Sequence, residues 1–331
     1  MKSAALSLLL VPAFAAPRPV EPVNEPVQIM EWTVPWEKTR PRDPYVDKEG
    51  RVWFVGQAGN YIAYLNPTSG EFKRFEIEAG THPHNLVIGE DGMVWYTGNR
   101  NGRLAKLDPA TGKYTNYLMP DSAVRDPHTM IFDKTGNIWF TAQGANHVGH
   151  MVTRTGQIHL IASPTAKSRP YGIVVDPKNR PWFVEFGTNK LAMIDAASMK
   201  VVEHTLPDPQ TLPRRLAATS DGIIWYGDYR GGKLGRFDPN TKAVKEYTLP
   251  SAKMSLPYAM TSDDKDRIWL VETGVQPNRL VGFDPKTESF FSITPIAKSG
   301  GGSVRHMVFH KPTRTIWFGT DANTIGRAMV P

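Results

Sequence analysis

The 331-residue chain carries a formal net charge of +7, with 40% apolar residues, 28 Gly, 28 Pro, 9 Trp and no Cys. This composition excludes collagen-like and disordered chains, and the absence of Cys excludes a disulfide framework, thiolate metal sites, a Cys nucleophile and a lipid-anchoring Cys. Lys and Arg alternate with 32 acidic residues instead of forming runs, which argues against nucleic acid as a partner.

At the N-terminus, Lys2 precedes an apolar run from Ala4 to Phe14 that is too short to span a bilayer. Ala13-Phe14-Ala15 is a small-x-small cleavage signal, and Pro17 follows it. The pattern predicts a signal peptide over residues 1–16 and a periplasmic or secreted mature chain. Residues 17–27 form a Pro-rich segment, and residues 28–331 form one domain. No second apolar run approaches 18 residues, so no membrane span is expected.

The domain opens with Glu31-Trp32-Thr33-Val34-Pro35, a strand-like segment that matches Glu246-Tyr247-Thr248-Leu249-Pro250 much later in the chain. Beyond it, Trp53, Trp95, Trp139, Trp182, Trp225, Trp269 and Trp317 recur at intervals of 42, 44, 43, 43, 44 and 48 residues. A period near 43 is the length of one four-stranded propeller blade. Within a period, a first strand starts near Pro, as in Pro127-His128-Thr129-Met130. A turn such as Asp133-Lys134-Thr135-Gly136 leads to the Trp strand, and two further strands follow, ending at a Pro such as Pro250. The last period stops at a third strand, Thr324 to Met329. The N-terminal strand therefore supplies the missing fourth and closes the ring. The expected fold is all-β: a seven-bladed propeller of four-stranded antiparallel blades.

The repeat also indexes the axis. Eleven residues before each Trp stand Arg42, His84, His128, Tyr171, Arg214, Tyr258 and His306, all large polar groups and none aliphatic. Seven such residues in register imply a lined central channel that takes a small-molecule or cyclic peptide ligand. Three residues after Trp, Glu185, Asp228 and Glu272 fall on consecutive blades, and Asp321 follows the last Trp by four. This acidic arc could hold a divalent cation or pair a base with a polarised carbonyl. Equally, the acids could pair with Arg42, Arg214, Arg230 or Arg305. His82 and His84 form a weak His-x-His pair with no third ligand in sequence. Gly300-Gly301-Gly302 is a connecting loop that lengthens the last interval.

The pattern Pro-His/Tyr-x-aliphatic, then Asp-x-x-Gly-x-Ile-Trp-Phe, then Asn-x-Ile-Gly-Arg resembles the streptogramin B lyase (virginiamycin B lyase) family from about residue 28 to 331. The resemblance implies a seven-bladed propeller that opens a cyclic depsipeptide at its ester by elimination, with magnesium present. It implies His306 as the base, with Asp321 where the family carries Glu. Tyr258 occupies the position of a second family His, and Val304 that of an acid.

The sequence therefore supports an exported carbon–oxygen lyase. His306, Tyr258 and Asp321 are its candidate catalytic groups. Arg42, His84, His128, Tyr171 and Arg214 are its candidate substrate contacts, and Glu185, Asp228 and Glu272 its candidate ligands for a divalent cation such as magnesium. The chain is expected to be a monomer. A non-catalytic periplasmic binding or scaffold propeller and a metal-dependent lactonase or esterase are the alternatives.

Overall fold

The structure is a computed structural model that describes residues 24–37, 39–300 and 302–331. The signal peptide and most of the Pro-rich segment lie outside the described residues. Among those described, 28 strands form seven four-stranded antiparallel sheets, one per predicted blade. Blade one comprises Pro41–Val46, Val52–Gly56, Tyr61–Leu65 and Phe72–Glu76 from axis to rim. The inner strands of blades two to seven are Pro83–Ile88, Pro127–Phe132, Pro170–Val175, Pro213–Ala218, Pro257–Ser262 and Val304–His310. No helix among the described residues is long and apolar enough to cross a membrane.

The Trp period has a local physical cause. Each Trp sits on a second strand and is almost fully buried. In blade one, Trp53 donates Nε1–H to Asp47 Oδ2 at 2.6 Å, while Asp47 Oδ1 accepts the turn amides of Glu49 and Arg51. Asp133, Asp176 and Asp263 hold Trp139, Trp182 and Trp269 in the same way. One carboxylate thus fixes the hairpin turn and satisfies the indole that the core would otherwise leave unpaired. Around these rings, the apolar faces of neighbouring blades merge. Trp53, Val55 and Ile62 pack with Leu86, Val94 and Tyr96 of the next blade, for example. Burying each such side chain contributes on the order of 1.5–3 kcal/mol.

The ring closes as the sequence predicts. Strand Gln28–Thr33 pairs antiparallel with Thr324–Met329, Gln28 opposite Met329 and Thr33 opposite Thr324. Trp32 stacks on Trp317 at 5.5 Å between centroids. Asn323 reinforces the seam, donating Nδ2–H to the carbonyls of Val34 and Trp36. Just upstream, Glu25 and Val27 donate backbone N–H to Phe291 O and Thr294 Oγ1, so residues 24–27 lie along the rim of blade six.

One irregularity positions everything at the axis. Every inner strand carries a bulge directly after its opening residues. A bulge breaks strict alternation of faces. Two successive residues of each inner strand therefore reach the axis, forming two layers where period-2 logic allows one.

Candidate functional site

The upper layer holds Arg42, His84, His128, Tyr171, Arg214, Tyr258 and, from blade seven, Arg305. The lower layer holds Asp43, Asn85, Thr129, Gly172, Arg215, Ala259 and His306. The register decides the seventh member. Pro41, Pro83, Pro127, Pro170, Pro213 and Pro257 each pair with the residue three after the blade's Trp, and Val304 pairs correspondingly with Thr320. In blade seven the turn around Lys311–Thr313 is one residue longer, and Arg314 closes it at φ 49°. The eleven-residue offset thus holds in six blades and slips by one in the last. Arg305, not His306, joins the upper layer, and His306 drops into the lower one.

The upper layer is a cationic cluster around one phenol. Tyr258 is buried, and its hydroxyl meets that of Tyr171 across the channel. The Arg214 guanidinium carbon lies 3.4 Å from the Tyr258 ring centroid and 4.3 Å from that of Tyr229. Those of Arg305 and Arg215 lie 5.7 and 5.8 Å from the Tyr258 centroid. Burial alone would raise the Tyr258 pKa. The charges of Arg214, Arg42, Arg215 and Arg305 outweigh it and bring the phenol down to about 7 from an ordinary value near 10. Tyr171 moves the opposite way, raised first by burial and then by Tyr258. Tyr171 is therefore the partner that keeps its proton and donates to the Tyr258 oxygen.

The neighbouring imidazoles remain neutral. The His84 and His128 rings lie 3.5 Å apart between centroids, tilted by 37°, and burial first, then nearby arginines, hold both well below the usual range. Burial likewise lowers His306 to about 4, against the opposing pull of Asp43. A neutral His306 is a competent proton acceptor by protonation state, yet it lies in the layer below Tyr258.

The two axial carboxylates are already engaged. Asp43 accepts Arg42 Nε–H at 3.0 Å and Asn85 Nδ2–H at 2.8 Å. Asp321 accepts Arg305 through Nε at 2.9 Å and Nη2 at 2.6 Å, with Arg40 at 3.9 Å. Asp321 thus occupies the place that Gln57 takes beside Arg42 in blade one. Several donors remain uncommitted: Arg42 Nη2, Arg214 Nε and Arg215 Nε and Nη2 find no partner among the described residues. Buried donors of this kind favour an anionic ligand.

The other acids turn away from the axis. Glu185 accepts Ser163 Oγ–H at 2.5 Å and Thr188 Oγ1–H at 3.2 Å. Asp228 accepts the backbone N–H of Leu212 at 2.9 Å. Glu272 accepts Ser251 N–H, Ser251 Oγ–H and Ser255 Oγ–H at 2.7–2.8 Å. Each carboxylate anchors the connection that enters its own blade. Glu185, Asp228 and Glu272 do not converge, and the described residues contain no group of three or more His, Asp or Glu that could hold a metal ion. With guanidinium groups concentrated at the axis as well, this arrangement does not fit a divalent cation.

Sequence reasoning placed six of the upper-layer residues. It missed Asp43, Arg215 and the axial place of Arg305. Their signal was adjacency: each is a charged residue beside one already indexed to the channel.

A family model described as the virginiamycin B lyase family matches residues 71–330. Virginiamycin B lyase from Staphylococcus aureus superimposes with a TM-score of 0.82 at 23% identity, covering 92% of this chain and 99% of that one. A catalytically inactive variant of the same enzyme with quinupristin gives 0.82 at 24% identity, covering 92% and 99%. The extracellular domain of a putative one component system from B. thetaiotaomicron gives 0.69 at 15% identity, covering 93% of this chain and 42% of that one. No curated protein sequence matches the chain.

Proposed function

The chain belongs to the virginiamycin B lyase family, and on that premise we propose that it is an exported carbon–oxygen lyase using Tyr258 as its base. Its substrate is an ester, of depsipeptide type, whose acyloxy group lies β to a carbonyl. The observation that carries this reading is the Tyr258 phenol, held at about 7 beneath four arginines at the head of the channel. A phenol near 7 is substantially ionised at neutral pH and well matched to proton abstraction.

In the proposed reaction the Tyr258 oxygen removes the proton from the carbon next to the carbonyl. The C–H electron pair forms the C=C bond, and the ester C–O bond breaks with its electrons leaving on the carboxylate. Arg42 and Arg214 stabilise the developing enolate, and Arg305 receives the departing carboxylate. A carboxylate leaving group needs no general acid, which suits a layer whose imidazoles are neutral. Arg214 covers the Tyr258 ring, so substrate entry requires this guanidinium to lift away and pair with the incoming carbonyl compound. Residues 1–16 serve as the export signal.

The test is turnover of linear and cyclic depsipeptide esters by mature protein in a chelating buffer. Elimination from a cyclic ester gives an opened product of unchanged mass with a new conjugated C=C, whereas hydrolysis adds water. Tyr258→Phe should lose about 10²–10⁴-fold in rate. A hydrolytic product, or full activity in Tyr258→Phe, would overturn the assignment. The dense packing of the upper layer favours a second reading, a non-catalytic propeller that binds an anion. Saturable binding of the same esters without turnover would support it.

A further inference from the structure

A separate cavity of about 240 Å³ lies at the opposite end of the channel. Leu86, Met130, Ile173, Leu216, Met260 and Met307 line it, one from each of blades two to seven, and Tyr45 adds an aromatic from blade one. Its inner end is polar, formed by Asn85, Thr129, Arg215 and His306. Arg215 is only 3% exposed. It donates Nη1–H to Thr129 Oγ1 at 3.0 Å, while its Nε and Nη2 find no partner among the described residues. His306 Nδ1 is likewise unpartnered among them. The Asp43 carboxylate lies within electrostatic reach of Arg215 and His306, but its side-chain hydrogen bonds go to Arg42 and Asn85.

From this polar end to the mouth, the strand runs from Arg215 to Ala218, about 10 Å at the usual rise per residue. The site is thus an apolar sleeve about one short acyl chain deep, with a buried guanidinium at its base. We propose that the lower cavity binds a short aliphatic monocarboxylate, with its carboxylate on Arg215 and its alkyl chain in the Leu/Ile/Met collar. This site stands on its own cavity and does not rest on the proposed elimination, although it shares Arg215 with the field around Tyr258. The opposite order, polar group outward, would bury the unpaired Arg215 donors against hydrocarbon at a substantial desolvation cost.

Calorimetric titration of acetate, butyrate and hexanoate into mature protein tests the proposal, with hexanol and inorganic phosphate as controls. Affinity should tighten about fourfold per added methylene as apolar surface is buried, and hexanol and phosphate should bind at least tenfold more weakly than hexanoate. Arg215→Met should weaken hexanoate at least tenfold. Thr261→Glu places a negative charge at the partly exposed lower mouth and should weaken it at least fivefold. Thr261→Glu also keeps the test decisive if Arg215→Met fails to fold. Equal binding of acetate and hexanoate, or hexanoate affinity unchanged in Thr261→Glu, would overturn the proposal. The latter result would place any bound carboxylate on the upper arginines.

Discussion

The lowered Tyr258 pKa has a thermodynamic signature that needs no substrate. A phenol brought from about 10 to about 7 corresponds to about 4 kcal/mol of differential interaction, at 1.36 kcal/mol per unit. Its direction follows from linkage. Between pH 7 and 10 the unfolded chain holds the proton that the folded chain has released, so stability rises with pH across this window. The contribution is complete above the unfolded value near 10 and is lost as pH falls through 7. From those two values, the Tyr258 contribution grows by about 2 kcal/mol between pH 7 and 8.5. Urea unfolding of wild type and Tyr258→Phe at both pH values isolates the term, because all other titrations cancel in the difference. The gap between the two proteins should widen by that amount, in favour of wild type, at the higher pH. A spectrophotometric titration should show one tyrosine ionising near pH 7 that is missing from Tyr258→Phe. A gap independent of pH, together with no tyrosine ionising below pH 9, would refute the claim that the four arginines outweigh desolvation.

His306→Ala should retain turnover within about tenfold of wild type, whereas Tyr258→Phe loses it; steady-state kinetics on one ester decides which layer holds the base. Trp139→Ala should cost about 3–5 kcal/mol of unfolding free energy, since it empties a core site and strands the Asp133 carboxylate. Removing residues 24–34 deletes the strand opposite Thr324–Met329 and should leave a protein with no cooperative thermal transition, as judged by calorimetry. In rate profiles, the acid limb of kcat should lie at higher pH than that of kcat/KM, because bound substrate partly offsets the field on Tyr258.

The blades were legible in sequence because the Trp hairpin is a local device: in four blades an Asp just before the turn holds the indole, and in a fifth Thr219 takes that place. The closing strand was legible for the same reason, as the fourth-strand pattern stood alone at one end of the chain and was absent from the other. What failed to transfer was counting across an irregular turn. The Lys311–Thr313 turn inserts one residue before Trp317, so a fixed offset indexed His306 where Arg305 belongs. Part of the long last interval resides in that turn, beyond the Gly300–Gly302 loop. The acidic positions were found correctly as a register set, but their direction was not. Glu185, Asp228 and Glu272 stand opposite the residue that starts the inner strand, beside the incoming connection, and that connection carries the hydroxyls and amides that claim them. Arg215 and Asp43 were hidden by alternation, which assigns neighbours to opposite faces unless a bulge intervenes.

The charge balance of the two axial layers explains how a tyrosine could serve there in place of an imidazole. Arg42, Arg214, Arg215 and Arg305 face Asp43 and Asp321, which leaves two positive charges unmatched if Tyr258 is neutral and one if it is ionised. Ionising the phenol is therefore the least costly way to lower the net charge of a buried cluster, and the proton leaves before any substrate arrives. An imidazole at that position would be held neutral by the same field, as His84 and His128 are, and its conjugate acid would be disfavoured once it had taken a proton. A phenolate accepts a proton to become neutral, so proton abstraction at Tyr258 creates no new cation among the arginines. In the proposed reaction, substrate binding then adds an oxygen that draws on the same guanidinium groups. The phenolate shares their field, its proton affinity rises, and the base strengthens at the step that needs it.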